Sequence, residues 1–134
     1  MKNIPLNFYP PLARKAKLFL IEAEKGFDTK NRTVGSEEII FYSISQALEL
    51  AIKAVVYMKT GVKPIRIHDK ELLANIYQKE CNFSNDEKDT IIKLKLLNNG
   101  PGGLRYDNQP IGEFKPSTFK KASKIVERLL EMFE

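Results

Sequence analysis

The sequence predicts an all-α fold in which several helices pack around one shared apolar core. Three observations lead to this prediction. Apolar residues recur at three- and four-residue steps, charged residues are interleaved at the same spacing, and capping residues separate the periodic segments. With 134 residues, of which 43% are hydrophobic, residues 1–134 are expected to form one domain around a single core.

The first predicted helix spans residues 12–25 and follows an extended leader over residues 1–11. Pro11 suits the first turn of a helix, because its missing N–H would have no intrahelical partner there. Gly26 is expected to end the helix. One face is apolar and includes Leu12, Ala16, Phe19, Leu20 and Ala23.

The second predicted helix spans residues 37–60, with Ser36 as its N-cap and Gly61 at its end. Apolar residues occur on most of its sides, so other helices must cover it. One polar stripe interrupts them and consists of Gln46, Glu49, Lys53 and Tyr57. The stripe has two interpretations: contact with a ligand or dimer partner, or an ion pair between Glu49 and Lys53 on a solvated edge.

Two further helices are expected in the middle of the chain. Residues 69–79 form a short helix capped by Asp69. Residues 85–97 form the next, because Ser84 and Glu87 have the spacing of a capping box. This second segment would also suit a strand, since it contains Ile91, Ile92 and Leu96.

The C-terminal part combines a long loop with a strongly amphipathic helix. Residues 98–115 contain four Gly and two Pro, so they cannot be regular throughout, and loops of this length are often functional. Residues 117–133 are predicted to be helical, with an apolar face against the core. The opposite face is expected to be solvated and carries Lys120, Lys121, Lys124 and Arg128.

Composition narrows the possible functions. Twenty-two Lys and Arg against 17 Asp and Glu give a net charge of +5, which favours weak attraction to nucleic acid or nucleotides, although genomic base bias also produces such charge. Cys81 is the only cysteine, which excludes an intramolecular disulfide or a cysteine-based zinc cluster and favours the cytoplasm. The N-terminus resembles no signal peptide, and no membrane span, metal or cofactor is expected.

Three short stretches, in this order and separation, resemble the HEPN family, the higher eukaryotes and prokaryotes nucleotide-binding domain. They are Gln46-Ala47-Leu48-Glu49-Leu50-Ala51-Ile52-Lys53-Ala54, Ile67-His68-Asp69 and Leu104-Arg105-Tyr106-Asp107. The resemblance covers residues 12–133. It implies an up-and-down bundle of four main helices plus a short helix, HEPN-like, which forms homodimers across its long helices.

The resemblance also bears on catalysis. Some HEPN proteins are metal-independent ribonucleases with an Arg followed four to six residues later by a His, near the start of the last helix. This motif is absent, because the single histidine, His68, lies before the fourth predicted helix and Arg105 has no His after it. We therefore expect no self-contained ribonuclease site. Other members accompany minimal nucleotidyltransferases or bind nucleotides without cleaving them.

The candidate binding residues are Gln46, Glu49, Lys53, Arg66, His68, Arg105, Tyr106 and Asp107. His68 is either an acid or base, or a residue that fixes the turn into the third helix. Arg66 lies in the same loop as Lys63 and near Lys70, and these cations engage either phosphate or solvent.

The glycine-rich loop leaves two interpretations open. Arg105 grips phosphate while Tyr106 stacks on a base, or Tyr106 docks onto the core while Arg105 and Asp107 form a local ion pair.

Three functions remain as hypotheses at this point. The first is a nucleotide- or RNA-binding regulatory module, acting with a minimal nucleotidyltransferase or in a toxin–antitoxin or defence setting. The second is a divergent metal-independent ribonuclease in which His68 and Arg105 meet in space. The third is a purely structural protein-interaction module.

Overall fold

The computed structural model describes residues 4–29, 32–99 and 115–134. Over these ranges the chain forms one 3-10 turn, Leu6–Phe8, and six helices, with no strand. The helices are α1 (Pro11–Asp28), α2 (Val34–Thr60), α3 (Lys70–Ile76), α4 (Gln78–Cys81), α5 (Asn85–Asn99) and α6 (Pro116–Glu131). The predicted all-α fold is therefore confirmed. Most of the predicted glycine-rich loop lies outside the described residues.

Helix α2 is the centre of the bundle, as its apolar periodicity predicts. It contacts α1, α3, α4, α5 and α6, and the α1–α2 contact is the most extensive. The largest fully buried side chains of α2 are Ile40, Phe41, Ile44, Leu48 and Ile52. Burial of one such side chain stabilises the folded state by about 1.5–3 kcal/mol, so this helix organises the core.

The hydropathy of α2 requires one correction. We expected no stretch with the composition of a membrane span, yet a window within Gly35–Thr60 has a mean hydropathy of 1.6 and the required length. In the structure, 78% of this window is buried inside the protein. The core helix of a bundle has the same property, so the hydropathy of α2 does not by itself indicate a membrane.

Gly26 does not end α1, contrary to the prediction, because α1 continues to Asp28. Its role is close packing between α1 and α2. A Cβ atom at position 26 would lie 2.7 Å from Cγ1 of Ile40, which is closer than real Cβ contacts allow. The glycine is thus explained by the approach of a neighbouring helix rather than by helix termination.

The start of α2 also differs from the prediction. Thr33, not Ser36, is the N-cap, and the helix begins at Val34. The Thr33 hydroxyl oxygen accepts a hydrogen bond from the Ser36 backbone N at 3.1 Å, and the Ser36 hydroxyl oxygen accepts one from the Thr33 backbone N at 2.8 Å. Ser36 therefore completes a capping box from inside the helix. Gly61 ends α2 in the left-handed conformation, as predicted.

The predicted third helix is divided into α3 and α4 at Tyr77, whose φ of −104° and ψ of 28° are not helical. The Tyr77 hydroxyl oxygen accepts a hydrogen bond from the Ile65 backbone N at 3.1 Å. This bond ties the segment that follows α2 to the break between α3 and α4. The predicted Asp69 cap is confirmed, since its side chain accepts a hydrogen bond from the Leu72 backbone N at 3.1 Å.

Helix α5 confirms the helical alternative for residues 85–97. The Ser84–Glu87 capping box forms in both directions, with donor–acceptor distances of 2.9 and 3.1 Å. Glu87 also accepts two hydrogen bonds from Arg128 of α6, at 2.8 and 3.0 Å. The prediction that Arg128 faces solvent is therefore wrong, because it holds α6 against α5.

The leader is not extended throughout, because Leu6–Phe8 forms the 3-10 turn. Arg14 of α1 stabilises this turn by donating to the backbone oxygens of Leu6, at 3.3 Å, and Tyr9, at 3.1 Å. The Tyr9 side chain is buried, and its hydroxyl donates to Oε2 of Glu134 at 2.9 Å. The leader thus packs beside the end of α6.

Candidate functional site

Glu49 is a buried carboxylate on the central helix, with 4% of its surface exposed. It lies in the polar stripe that the sequence predicts. The predicted ion pair between Glu49 and Lys53 is confirmed, but the edge is not solvated at Glu49, because α2 and the segment after it cover the side chain. A buried carboxylate requires charged or hydrogen-bonding partners.

Three side chains surround Glu49: Lys53, His68 and Lys70. We call these four residues together the Glu49 cluster. Oε2 of Glu49 lies 3.1 Å from Nζ of Lys53 and 2.8 Å from Nδ1 of His68. Oε1 lies 3.6 Å from Nζ of Lys70. The cluster therefore joins one turn of α2 to the segment leading into α3.

The partners of Glu49 keep it ionised. Burial alone would raise the pKa of Glu49, but the hydrogen bonds from His68 and Lys53 and the charges of Lys53 and Lys70 outweigh burial and hold the pKa below its ordinary value. An ionised carboxylate only accepts hydrogen bonds, so Nδ1 of His68 must carry the proton between them. Nε2 of His68 is then the ring nitrogen left for another partner.

The members of the cluster differ in exposure. Lys70 has only 3% of its surface exposed, whereas the side chain of His68 is 67% exposed. His68 is therefore the member that a ligand can reach, and the exposed cations Lys63 and Arg66 in the same segment favour an anion there.

Lys70 is the member that sequence reasoning did not assign to the site. It was considered only as a cation near the loop, but it is buried and ion-paired with Glu49. The position of Lys70 in the sequence gave one local indication that it has a buried partner. Lys70 is the first residue of α3, directly after the Asp69 cap, where the helix dipole disfavours positive charge. A lysine at such a position requires compensation from elsewhere in the fold.

The segment between α2 and α3 positions His68 and presents two further cations. Backbone hydrogen bonds hold this segment, including one from Ile67 N to Ile65 O at 2.9 Å. Arg66 and Lys63 are exposed. Within the described part of the chain, neither forms an ion pair with an acidic side chain.

A groove lies next to the Glu49 cluster, with a volume of about 640 Å³. Its walls come from α2, from Pro10 and the start of α1, from the segment after α2, and from Phe133, which follows α6. Its lining is mainly apolar and comprises Pro10, Pro11, Leu12, Lys53, Ala54, Tyr57, Met58, Lys63, Pro64 and Phe133. Lys53 belongs to both the groove and the cluster, so the two are continuous.

The bond between Tyr9 and Glu134 holds the groove walls in place. Tyr9 precedes the two prolines of one wall, and Glu134 follows Phe133 of another. Burial, with the hydrogen bond to Glu134, raises the pKa of Tyr9 to about 12, so its hydroxyl stays protonated and donates. Sequence reasoning missed this groove because its walls come from distant parts of the chain.

A further candidate residue, Gln46, does not join the cluster. Gln46 lies one turn before Glu49, is partly buried, and makes no hydrogen bond to the residues that the structure describes. Arg105, Tyr106 and Asp107 lie outside the described residues. The proposed meeting of His68 with Arg105 therefore stays a prediction.

A second carboxylate, Glu24 of α1, provides an internal comparison. It is partly buried, and Oε2 accepts a hydrogen bond from the Ser123 hydroxyl of α6 at 3.2 Å. Burial first, and then the negative charge of Glu127, raise the pKa of Glu24 above its ordinary value. Across residues 4–29, 32–99 and 115–134, no three His, Cys, Asp or Glu side chains group in a way that would hold a metal ion.

Comparison with known proteins yields one finding. A family model described as "HEPN domain" matches residues 9–134, which is nearly the whole chain. No curated protein and no solved structure matches the chain significantly.

Proposed function

The chain belongs to the HEPN family, and from that premise we propose that it binds a nucleotide or RNA at the Glu49 cluster and regulates a process that depends on that ligand. A role related to nucleotides or RNA, in general terms, follows from the family itself. The cluster as the contact site is the part that we add.

The accessible nitrogen donors at the Glu49 cluster carry this proposal. The side chain of His68 is 67% exposed and its Nδ1 is held by Glu49, so Nε2 is left for a ligand. Arg66 and Lys63, in the same segment, are exposed and form no ion pair with the acidic side chains that the structure describes. Phosphate is a ligand that would use these donors.

The exposed cations beside the cluster extend the same surface. Arg66 stands two residues before His68, and Lys63 lies on the wall of the groove. Long basic side chains of this kind contact phosphates along a nucleic-acid backbone without reading sequence. We therefore expect binding that depends on salt more than on base sequence.

The test is a titration of short single-stranded RNA and of nucleotides at about 50 and 200 mM salt. Wild-type protein should bind more weakly at the higher salt. Arg66→Gln should weaken binding and reduce the slope of log affinity against log salt by about one. Salt-independent binding, or no binding of either ligand, would contradict the proposal.

Lys120→Gln is the matched control, because Lys120 is also exposed but lies at the start of α6. Its neighbour Phe119 stacks on Phe27 near the end of α1, with ring centroids 4.3 Å apart. Phe133, which lines the groove, is thirteen residues after Lys120, which corresponds to about 20 Å along a helix. The control variant should therefore bind like the wild type.

One observation favours ribonuclease activity as a second candidate. The exposed His68 is oriented through Nδ1 by the buried Glu49, which is how a carboxylate prepares a histidine for general acid or base work through its other nitrogen. Incubation of RNA with the wild type and with His68→Gln tests it. Cleavage by the wild type that His68→Gln abolishes would support ribonuclease activity. Absence of cleavage by the wild type would exclude it, and binding would remain as the proposed function.

The proposal includes a homodimer, in line with the family. Exposed apolar side chains on α1 and α2, Leu18, Ile39 and Tyr42, support a contact through this face. Light scattering of the wild type and of Ile39→Glu tests it, with the variant expected to be monomeric. A wild-type monomer at all concentrations would refute this part.

The cellular location, the partner and the biological role are also part of the proposal. We propose a cytoplasmic protein with a minimal nucleotidyltransferase as its partner, in a toxin–antitoxin or defence role. Co-expression with such an enzyme, followed by purification of the complex and a growth assay, tests partner and setting together. No complex and no growth effect would argue against both.

A further inference from the structure

We propose that the groove beside the Glu49 cluster holds the base of a nucleoside phosphate, with the phosphate bound by Lys53 and Lys63. This inference rests on the proposed function and names its ligand more closely. The ligand is a nucleoside monophosphate, either free or as the phosphorylated end of an RNA strand. The groove itself, rather than the charged surface alone, then determines what binds.

The size and lining of the groove suit a planar ring. Its volume of about 640 Å³ lies within the range of roughly 300–1,000 Å³ that small-molecule sites occupy. Pro10, Pro64, Tyr57 and Met58 give it flat and apolar walls. Bases stack on such surfaces without preference for sequence, because every base has a π-face.

Tyr57 and Met58 are large apolar side chains that are exposed at the C-terminal end of α2. The preceding ten residues of α2 are almost all buried, whereas Tyr57 is 46% exposed and Met58 is 42% exposed. Both side chains line the groove. A ligand that covers them would complete the burial of α2 at this end.

The cations of the groove indicate an anionic group on the ligand. Lys53 and Lys63 are the charged residues of the lining, and both are positive. Lys53 does not have to abandon Glu49 to bind phosphate, because an ammonium group has three donors. Oε2 of Glu49 also keeps His68 at 2.8 Å if Lys53 turns towards the groove.

Charge complementarity separates this ligand from an apolar peptide. An apolar helix or strand would fill the groove equally well but would gain little from two lysines. A nucleoside phosphate uses the apolar wall and the cations together. Binding that does not change when the lysines are replaced would therefore exclude a nucleoside phosphate as the ligand.

The experiment measures affinities of adenosine, AMP and ribose 5-phosphate by calorimetry. Tyr57→Ala should weaken AMP binding at least about five-fold, the lower limit for loss of one base–aromatic stack. Lys63→Gln should weaken AMP binding but leave adenosine unchanged. AMP should bind more tightly than either fragment.

Ile92→Ala is the control for Tyr57→Ala. Both side chains are large, apolar and exposed, at 38% and 46%, and Ile92 lies on α5, none of whose described side chains lines the groove. The control should bind AMP like the wild type. Circular dichroism confirms that each variant remains folded.

The outcomes separate this inference from the proposed function. AMP binding that is unaffected by Tyr57→Ala, or RNA binding without any AMP binding, overturns the groove as the base site while the charged surface survives. Failure to bind RNA, AMP and adenosine overturns both. We expect an RNA with a 5′-phosphate to bind more tightly than the same RNA without it. Lys63→Gln should remove this difference in affinity.

Discussion

Glu49 and Glu24 are carboxylates of the same bundle, on adjacent helices, with opposite changes in pKa. Glu49 is the more buried, yet its pKa is lowered, because two lysines and a histidine surround it. Glu24 has a hydroxyl as its hydrogen-bond partner and Glu127 nearby, and its pKa is raised. Burial alone therefore does not decide the charge of a carboxylate in this protein; its neighbours do.

The comparison also explains why one carboxylate marks a candidate site and the other does not. Ionised Glu49 holds the exposed His68 in the same segment as the exposed Arg66 and Lys63, where an anion can reach them. Glu24 gathers negative charge at the α1–α6 contact and offers nothing to an anion. The two regions thus have opposite electrostatic character.

The largest expected effect comes from Glu49→Gln. This change removes the negative charge that faces Lys53 and Lys70, and breaking a buried ion pair typically costs about 3–5 kcal/mol. Urea unfolding should show a loss of roughly this size in the free energy of unfolding. A loss below about 1 kcal/mol would show that the cluster behaves like an exposed pair.

The second effect is the coupling energy within each region. A double-mutant cycle of Glu49→Gln with Lys53→Gln should give a coupling of about 1–3 kcal/mol, since the two side chains are in contact and poorly solvated. The corresponding cycle of Glu24→Gln with Ser123→Ala should give less than about 1 kcal/mol. Equal couplings would remove the distinction between the two carboxylates.

The third effect is the pH dependence of stability, which should have opposite signs. A folded-state pKa below the unfolded value means that Glu49 stabilises the fold above its unfolded pKa, and this contribution is lost as pH falls through the folded pKa. For Glu24 the folded pKa is higher, so its contribution is present below the unfolded pKa and is lost as pH rises through the folded pKa.

Urea unfolding across acidic pH measures this difference. Glu49→Gln should flatten the decline of stability in acid, whereas Glu24→Gln should remove a loss that occurs as pH increases from acidic towards neutral. Matching pH profiles for the two variants would contradict the assignment of opposite shifts.

The smallest effect is that of Glu24→Gln at neutral pH. The amide keeps a hydrogen-bonding group near Ser123 and removes the repulsion from Glu127. The free energy of unfolding should therefore stay within about 0.5 kcal/mol of the wild type or increase slightly. Thermal unfolding measures it, and a clear loss of stability would mean that ionised Glu24 has a favourable partner.

Much of the fold was predictable because helix formation follows local periodicity. The capping residues Asp69, Ser84 and Glu87 are in place, and α2 is central as predicted. Two of the errors have nonlocal causes. Gly26 serves the contact with Ile40, and α3 ends before Tyr77, whose side chain is hydrogen-bonded to the backbone twelve positions earlier.

The candidate site was predictable only in part. The spacing on α2 identified Glu49 and Lys53, and the resemblance identified His68. Their convergence, the burial of Lys70 and the neighbouring groove depend on how the segment after α2 folds back and on a leader that meets Glu134, 125 positions away. Local sequence patterns do not encode such contacts.

The contact between Gly26 and Ile40 has a consequence for how this protein can change over evolutionary time. Since even a methyl group at position 26 would collide with the Ile40 side chain, a larger residue at 26 requires Ile40 to shift or to become smaller. Related chains that lack this glycine should therefore carry a smaller residue at position 40. Position 40 can become smaller by itself, so the constraint between the two helices acts in one direction.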